Sequence, residues 1–372
     1  MPPRRRRSGC GAAAAGRPLE RAAPTRDGRV TGDMRLLQAI GGARHGGAEA
    51  FFLRLALALH RAGQDQLVLV RHRAHAEALR AGGLAVRELR FGGLLDLSTR
   101  PGFRRAIAEY RPSVVLTWMS RASNLCPPGD FVHVARLGGY YDLKSYRRCD
   151  HLIGNTRDIV DHLRARGWPA ERTHYLPNFV AGRAAEPVPR APLGTPADVP
   201  LALALGRLHE NKAFDVLLDA LAGVPRLHLW LAGAGPLRQT LERQATRLGL
   251  AGRVRFLGWR EDAAGLLAAA DFLVCPSRHE PLGNVVIEAW AAGRPVLAAA
   301  SVGPRGLIAD GESGLLVPTD DAAALAAAMA RMATDPALRA RLAEAGRAAW
   351  EARFTEAAVL RSYREFFAAV AP

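Results

Sequence analysis

Cysteine is scarce in this chain. The four cysteines among 372 residues, at positions 10, 126, 149 and 275, form no close pair. That argues against a structural zinc site or a disulfide framework and fits a reducing cytoplasm. Aromatic residues are only 6% of the sequence and do not interleave with the basic ones, so the stacking pattern of nucleic-acid binders is missing. No apolar run approaches the ~18 residues needed to span a bilayer. The motif Gly-x-Gly-x-x-Gly does not occur, which counts against a nicotinamide-dependent dehydrogenase. Asp-x-Asp, a common carboxylate pair for a divalent cation, is also missing.

What remains is an ordinary core composition, 49% hydrophobic and rich in Ala and Leu. A chain of 372 residues exceeds the usual limit for one core, so two domains are expected. Residues 1–33 stand apart: Arg4 to Arg7, an alanine run, several Pro and Gly, and no hydrophobic periodicity. They lack the apolar stretch of a secretory signal. They read as a disordered tail or, preferably, as sequence upstream of a true start at Met34, and they are left out of the fold.

The formal net charge of +16 is unevenly placed. Residues 1–180 hold 30 Lys/Arg and 15 Asp/Glu, and without the tail this half is still near +10; the remainder is near neutral. A basic domain suits nucleic acid, an anionic membrane surface or a negatively charged acceptor. Arginine bias on a solvated surface is the plain alternative.

Hydrophobic patterning divides the chain into two βα-repeating halves. Strands are expected at 34–40, 66–70, 114–118, 131–135 and 151–155, with helices at 48–61, 74–81, 101–110 and 156–166. In the second half, strands are expected at 201–206, 227–232, 253–257, 272–276 and 295–299. Helices there fall near 214–222, 236–248, 262–269, 284–292, 320–333 and 336–348. Such alternation predicts an α/β fold of two parallel sheets covered by helices. Domains are expected at 34–180 and 201–354, joined by a Pro-rich linker at 181–200. A last helix begins near Thr355 and belongs to the segment 355–372.

The most informative stretch runs from His279 to Glu288. The apolar run Phe272–Ser277 before it reads as a buried parallel strand. A helix is expected from Asn284, so Glu280 lies in the loop and Glu288 one turn into the helix on the side of Asn284. Open α/β sheets bind ligands at that edge, where helix N-terminal amides attract phosphate. An ordinary strand-loop-helix with two solvated acids is the bland alternative. Two further pieces fit a phosphate ligand. Arg207 and Lys212 follow the strand 201–206 around a turn, within reach of one diphosphate. Gly46 and Gly47 precede the first helix and permit close backbone approach.

The spacing Glu280 to Glu288 resembles the E-x7-E signature of retaining GT-B-fold glycosyltransferases of family four. Other stretches match that family in order: Gly41-Gly-Ala-Arg-His-Gly-Gly-Ala-Glu49, Leu176-Pro177-Asn178, Gly206-Arg207 with Lys212, Gly233-Ala-Gly-Pro236, Phe256-Leu-Gly-Trp259 and Gly311 to Pro318. The resemblance covers roughly residues 34 to 370. It implies two Rossmann-like domains facing across a cleft, with the last helix crossing back onto the first.

The resemblance implies site roles as well. Arg207 and Lys212 would stabilise the leaving diphosphate, and Glu280 would act near the sugar's hydroxyls at the reacting face. Glu288 would hold the ribose hydroxyls, a vicinal diol suited to one carboxylate. Gly206, Leu282, Gly283 and Asn284 would contact phosphate or sugar. Trp259 and Arg260 fall where the family places its nucleobase, although Trp259 equally suits core packing. Many members carry a histidine after the strand 131–135; here that position opens the loop Arg136 to Asp142, and His133 is expected to point into packing. Trp118, Arg121, Asn124, Arg136, Tyr140 and Lys144 are the acceptor-binding candidates.

The expected activity is that of a metal-independent, retaining hexosyltransferase needing no cofactor. Its donor would be a nucleoside diphosphate sugar, UDP-linked first and GDP-mannose second. The acceptor would be a glycan or lipid-linked glycan of lipopolysaccharide or exopolysaccharide synthesis. A cytoplasmic protein is expected, with an anionic inner-membrane surface as a further partner and no specific nucleic acid. The rivals are a GT-B-fold sugar-nucleotide epimerase and a non-catalytic basic nucleic-acid or membrane-surface binder.

Overall fold

The computed structural model describes residues 34–371 except 45, 93–95 and 183. The expectations for residues 1–33 therefore lie outside the described residues.

The first half forms a seven-stranded sheet: β1 (Leu36–Ile40), β2 (Gln66–Val70), β3 (Ala85–Glu88), β4 (Val114–Trp118), β5 (Val132–Leu137), β6 (His151–Gly154) and β7 (Thr173–Tyr175). Their order is β3-β2-β1-β4-β5-β6-β7, and every pairing is parallel. β1, β2 and β4 are buried at every residue, as strands covered on both faces must be. Two glutamines survive in this core because they are paired. Gln38 Nε2 donates to Gln66 Oε1 at 2.8 Å, Gln66 Nε2 donates to the Ala56 carbonyl, and Trp118 Nε1 donates to Gln38 Oε1.

The second half forms β8 (Leu201–Leu205), β9 (His228–Ala232), β10 (Val254–Gly258), β11 (Phe272–Cys275), β12 (Val296–Ala299) and β13 (Leu315–Val317). The order β10-β9-β8-β11-β12-β13, again all parallel, is the doubly wound Rossmann arrangement. In each sheet the winding reverses beside the first strand, between β1 and β4 and between β8 and β11. Crevices open at the carboxyl ends of those strands, so chemistry is expected there.

The sequence reading missed β3, β7 and β13 and the helices Met119–Leu125 and Val302–Leu307. β3 is a half-exposed edge strand without an apolar run. Val302–Leu307 carries Gly303, Pro304 and Gly306, which hide a helix from any propensity argument. The fifth strand runs on through Arg136 and Leu137. Arg136 is therefore a strand residue, not the first residue of a loop.

Two chain segments tie the halves together. The helix Pro336–Arg353 packs Leu338 and Leu342 into the second core. The chain then turns at Phe354, whose carbonyl accepts from the Val180 amide at 3.0 Å, while Trp350 Nε1 donates to the Val180 carbonyl. The terminal helix Glu356–Val370 places Val359, Tyr363, Phe366 and Phe367 in one apolar cluster with Leu36, Phe51 and Leu55 of the first half. The segment 184–200 is fastened rather than loose. Arg190 donates to the Ala269 carbonyl and reaches Asp271, and Thr195 Oγ1 accepts from the buried Trp230 indole.

Candidate active site

β11 is buried throughout, and its chain leaves the sheet into the loop that bears Glu280. Gly283 ends that loop at φ 83°, a left-handed conformation that favours glycine, and the helix Asn284–Ala291 starts at once. Lys212 arrives from the segment after β8, and its Nζ forms an ion pair with Glu280 Oε2. Only 22% of the Lys212 side chain and 13% of that of Glu280 remain exposed, so this is not a loose surface pair. Ser277 Oγ lies 3.4 Å from the same Glu280 oxygen.

The loop is braced from behind. The Gly303 amide donates to the Glu280 carbonyl at 2.7 Å, and a Cβ on Gly303 would sit 2.5 Å from that oxygen. Arg278 grips Asp215 with both terminal nitrogens, at 2.9 and 2.6 Å, and reaches Asp320 with Nε. Such a fork fixes direction as well as distance. Burial, then Glu280, pushes the Cys275 thiol up to about 11, so it remains a protonated packing group at neutral pH.

Glu288 stands further along the same helix, half-buried. Burial raises its pKa first; Arg54 and Lys212 oppose that, and Glu280 adds to it. Arg54 comes from the other half of the molecule, on the helix Gly47–Arg61. Burial lowers its own pKa, against the attraction of Glu288. Arg54 Nε is buried without a hydrogen-bond partner. A carboxylate and a guanidinium thus face one another across the two halves with bonding capacity left over, which a polar ligand can use. Glu288 also borders a cavity of about 150 Å³ walled by Val180, Ala181, Ala263, Ala264, Leu267, Ala291 and Ala292.

On the first sheet, the glycine-rich loop after β1 is organised around Glu49. Its Oε1 accepts from the Ala43 amide at 2.8 Å. Side chains on Gly42 or Gly46 would come within 2.2 Å of its carboxylate oxygens. His72 and His75 lie 3.1 and 3.0 Å from the Gly42 and Arg44 carbonyls. Around Gly47 there is open space.

The structure therefore brings Lys212, Glu280 and Glu288 together, with Leu282 buried and Gly283 and Asn284 beside them. Arg207 follows Gly206 at the same sheet edge, exposed and without a charged partner among the described residues. Trp259 is 77% exposed, which removes core packing as its role. Arg260 is paired with Asp262 through two contacts.

The acceptor candidates divide. Arg136 is 2% exposed and held from several sides: Nε donates to Tyr363 Oη, Nη2 to Asn178 Oδ1, and its guanidinium carbon lies 4.6 Å from the ring centres of both Phe51 and Trp118. It is an internal strut, too deeply buried to reach an acceptor, a correction to the sequence reading. Trp118 is 1% exposed with its one polar atom spent on Gln38, so it can offer only a wall. His133, as expected, is packed inside its strand, with Nε2 3.0 Å from Thr117 Oγ1. Asn124 and Lys144 are exposed, and Tyr140 donates to Asp158. Arg121 lines a cavity at the end of β1 and β4.

Comparison with known proteins bears on this geometry. Residues 199–335 match the family described as glycosyl transferases group 1, and residues 45–181 match glycosyltransferase family 4. Over 330 residues the chain is 38% identical to the lipopolysaccharide core biosynthesis glycosyltransferase LpsE of Rhizobium meliloti (strain 1021), covering 87% of this chain and 96% of that protein. The chain belongs to glycosyltransferase family four. The enzyme is also 37% identical over 326 residues to LpsD of the same organism, which has the same description; that match covers 87% of this chain and 95% of LpsD. The crystal structure of Anabaena HepE in complex with UDP superimposes with a TM-score of 0.79 at 23% identity, over 90% of this chain and all of that one, which establishes the GT-B fold.

For a glycosyltransferase, this arrangement can do two things. Lys212 and Arg207 can take up negative charge at the carboxyl edge of β8, and Glu280 and Glu288 can accept hydrogen bonds from sugar hydroxyls. Residues that the sequence reading missed are Arg54, Gly303 and Arg278, and Asn178 entered only within the motif Leu176-Pro177-Asn178, without a role. Arg54 sits in a leucine-rich helix and reads as a solvent cation; its guanidinium instead lies 5.7 and 6.0 Å from the ring centres of Phe51 and Phe179 and is attracted by Glu288 of the second half.

Proposed function

We propose that this enzyme is a retaining transferase that moves a sugar from a nucleoside diphosphate sugar to a growing glycan or glycolipid, in lipopolysaccharide core or exopolysaccharide synthesis. The donor is a UDP-sugar in the first instance and GDP-mannose in the second. The Lys212–Glu280 ion pair beside Glu288, at the point where the second sheet reverses its winding, carries the reading. Relatives described as lipopolysaccharide core glycosyltransferases support the acceptor class.

In the reaction, the bond from the sugar's anomeric carbon to the diphosphate oxygen breaks, and a bond to the acceptor oxygen forms on the same face. The acceptor proton passes to the departing phosphate. Arg207 and Lys212 stabilise the charge that develops there, commonly the largest catalytic contribution. Glu280 orients the sugar, and Glu288 holds the ribose. The reading needs no cofactor and no metal, so turnover should survive EDTA. It places the enzyme in the cytoplasm, working at the inner face of the membrane. Among the described residues no helix is long and apolar enough to cross a membrane.

The test is incubation of the purified protein with UDP-, GDP- and ADP-sugars and a core-oligosaccharide acceptor, with NMR of the product. A new linkage that keeps the donor's anomeric configuration is expected. The inverted anomer removes retention, and a changed sugar still attached to its nucleotide makes the protein an epimerase. Failure to bind any sugar nucleotide removes the proposal altogether.

A further inference from the structure

At the carboxyl ends of β1 and β4, on the first sheet, lies a cavity of about 290 Å³. It is near the low end of small-molecule pockets, ~300 Å³, and has room for about one sugar ring. Gly41 to Ala43 form one side, Trp118 to Arg121 the other, and Glu49, Arg71 and Tyr141 complete it. Arg71 and Arg121 are its cations, Glu49 its acid.

The charges in this wall do not cancel in place. Glu49 is buried and turned into the glycine loop, where it accepts from the Ala43 amide and fills the space beside Gly42 and Gly46. Arg121 donates Nη1 to the carbonyls of Phe91 and Gly41, at 3.2 and 3.4 Å. These contacts fix its position and leave its charge uncompensated. Arg71 is exposed and has neither a hydrogen bond nor an ion pair among the described residues.

Neighbouring arginines behave differently. Arg73 pairs with Glu77, Arg80 with Glu88, and Arg87 with Glu109. Acids are thus at hand on this surface, yet among the described residues none pairs with the two arginines at the cavity. An unpaired guanidinium at a concave wall concentrates anions and recognises carboxylate or phosphate through paired N–H donors.

We infer that this cavity takes an anionic group, a carboxylate or a phosphate, carried by the acceptor sugar, with Arg71 and Arg121 as its ligands. The inference rests on the transferase reading above. One rival assignment is that the two arginines serve the donor's diphosphate, and the experiment separates the two.

The full-length protein is first titrated with UDP and then, with UDP saturating, with glucose, glucuronate and glucose 6-phosphate, followed by ligand-observed NMR. Glucuronate, glucose 6-phosphate or both should bind at least about tenfold more tightly than glucose, a difference of ~1.4 kcal/mol. The one that gains tells whether carboxylate or phosphate is read. In Arg71→Gln, an exposed change that should leave the melting curve as it is, most of that preference should vanish while UDP affinity holds. Arg121→Gln should act in the same direction. Equal binding of all three sugars overturns the inference, as does a preference that survives in the double variant. So does a loss of UDP affinity in Arg71→Gln as large as the loss of anionic-sugar affinity. If UDP does not bind, GDP takes its place throughout; if neither nucleotide binds, the transferase reading itself fails, and that is seen before any sugar is added.

Discussion

Asn178 donates from Nδ2 to Oδ1 of Asn284 at 3.1 Å, joining the end of the first domain to the first residue of the helix that carries Glu288. The same asparagine accepts from Arg136, which is held in turn by Tyr363 of the terminal helix. One chain of hydrogen bonds thus runs from the last helix, through the fifth strand, to the helix that carries Glu288. Because the halves of a GT-B enzyme must meet correctly around their substrates, a contact of this kind sets geometry as well as stability.

Two substitutions at Asn178 separate those effects. Asn178→Ala leaves the buried Arg136 without one of its two acceptors and should cost about 2–4 kcal/mol in urea unfolding. Asn178→Asp keeps an acceptor for Arg136 but cannot donate to Asn284, so stability should hold while turnover falls. Wild-type turnover in Asn178→Asp would mean that the contact with Asn284 has no part in positioning the helix.

The legible parts of this molecule were those written in local pattern. β1, β2, β4, β8 and β11 are runs of apolar residues, and each was placed to within a residue or two. The helix start at Asn284 followed from the Gly283–Asn284 pair. Arg136 was misplaced because a charged residue ends an apolar run on paper. Its burial depends on Phe51, Trp118, Asn178 and Tyr363, as far as 227 positions away, and no local signal announces them. The short edge strands were invisible for the opposite reason: only three or four paired residues define each, too few for a local pattern, and β3 buries little of its own.

Lys212 is one of only two lysines, with Lys144, among 51 basic residues. Its stem runs beside Gly206, where an added Cβ would lie 3.3 Å from Lys212 Cε. Lys212→Ala and Arg207→Ala should each depress turnover by about 10²–10³, the usual cost of removing a charge-stabilising group. They should differ in stability: Arg207 is exposed and unpartnered, whereas loss of Lys212 leaves Glu280 unpaired. Lys212→Arg should rescue only part of the rate. Glu280→Gln should lower turnover while UDP still binds nearly as well. Near-normal turnover in Arg207→Ala and Lys212→Ala removes both from the mechanism.

The two glycines before the first helix should respond in opposite ways. At Gly46 the backbone is extended (φ 171°), so space alone decides, and a Cβ would lie 2.2 Å from Glu49 Oε2. Gly46→Ala should therefore displace Glu49 and lower the melting temperature. Gly47 opens the helix with nothing within 4 Å of an added Cβ. Gly47→Ala should keep or raise stability, by up to about 1 kcal/mol from helix propensity. If the donor phosphate approaches this backbone, the same variant should raise the Michaelis constant for the donor. Unchanged donor kinetics would take Gly47 out of the donor site.

Glu288 offers a test in pH. Burial holds its pKa above the ordinary 4.5, against the pull of Arg54. Ribose recognition requires the carboxylate, so acidification should weaken UDP binding, starting above the pH at which a solvated glutamate titrates. Glu288→Gln should weaken UDP binding at pH 7.5 by about 10–100-fold, the loss of one charge-assisted hydrogen bond. It should then show only the titration of the nucleotide's own phosphates. Stability should move the other way. A raised folded pKa means that the folded chain holds this proton where the unfolded chain has released it, so stability falls as pH rises from about 4.5 through the raised value. Replacing the acid by a neutral amide removes that slope. Glu288→Gln should therefore gain stability relative to wild type as pH rises above about 4.5, as read by urea unfolding at several pH values. A stability difference independent of pH, together with parallel UDP titrations for the two proteins, would falsify the assignment of Glu288 as a buried, ribose-binding carboxylate.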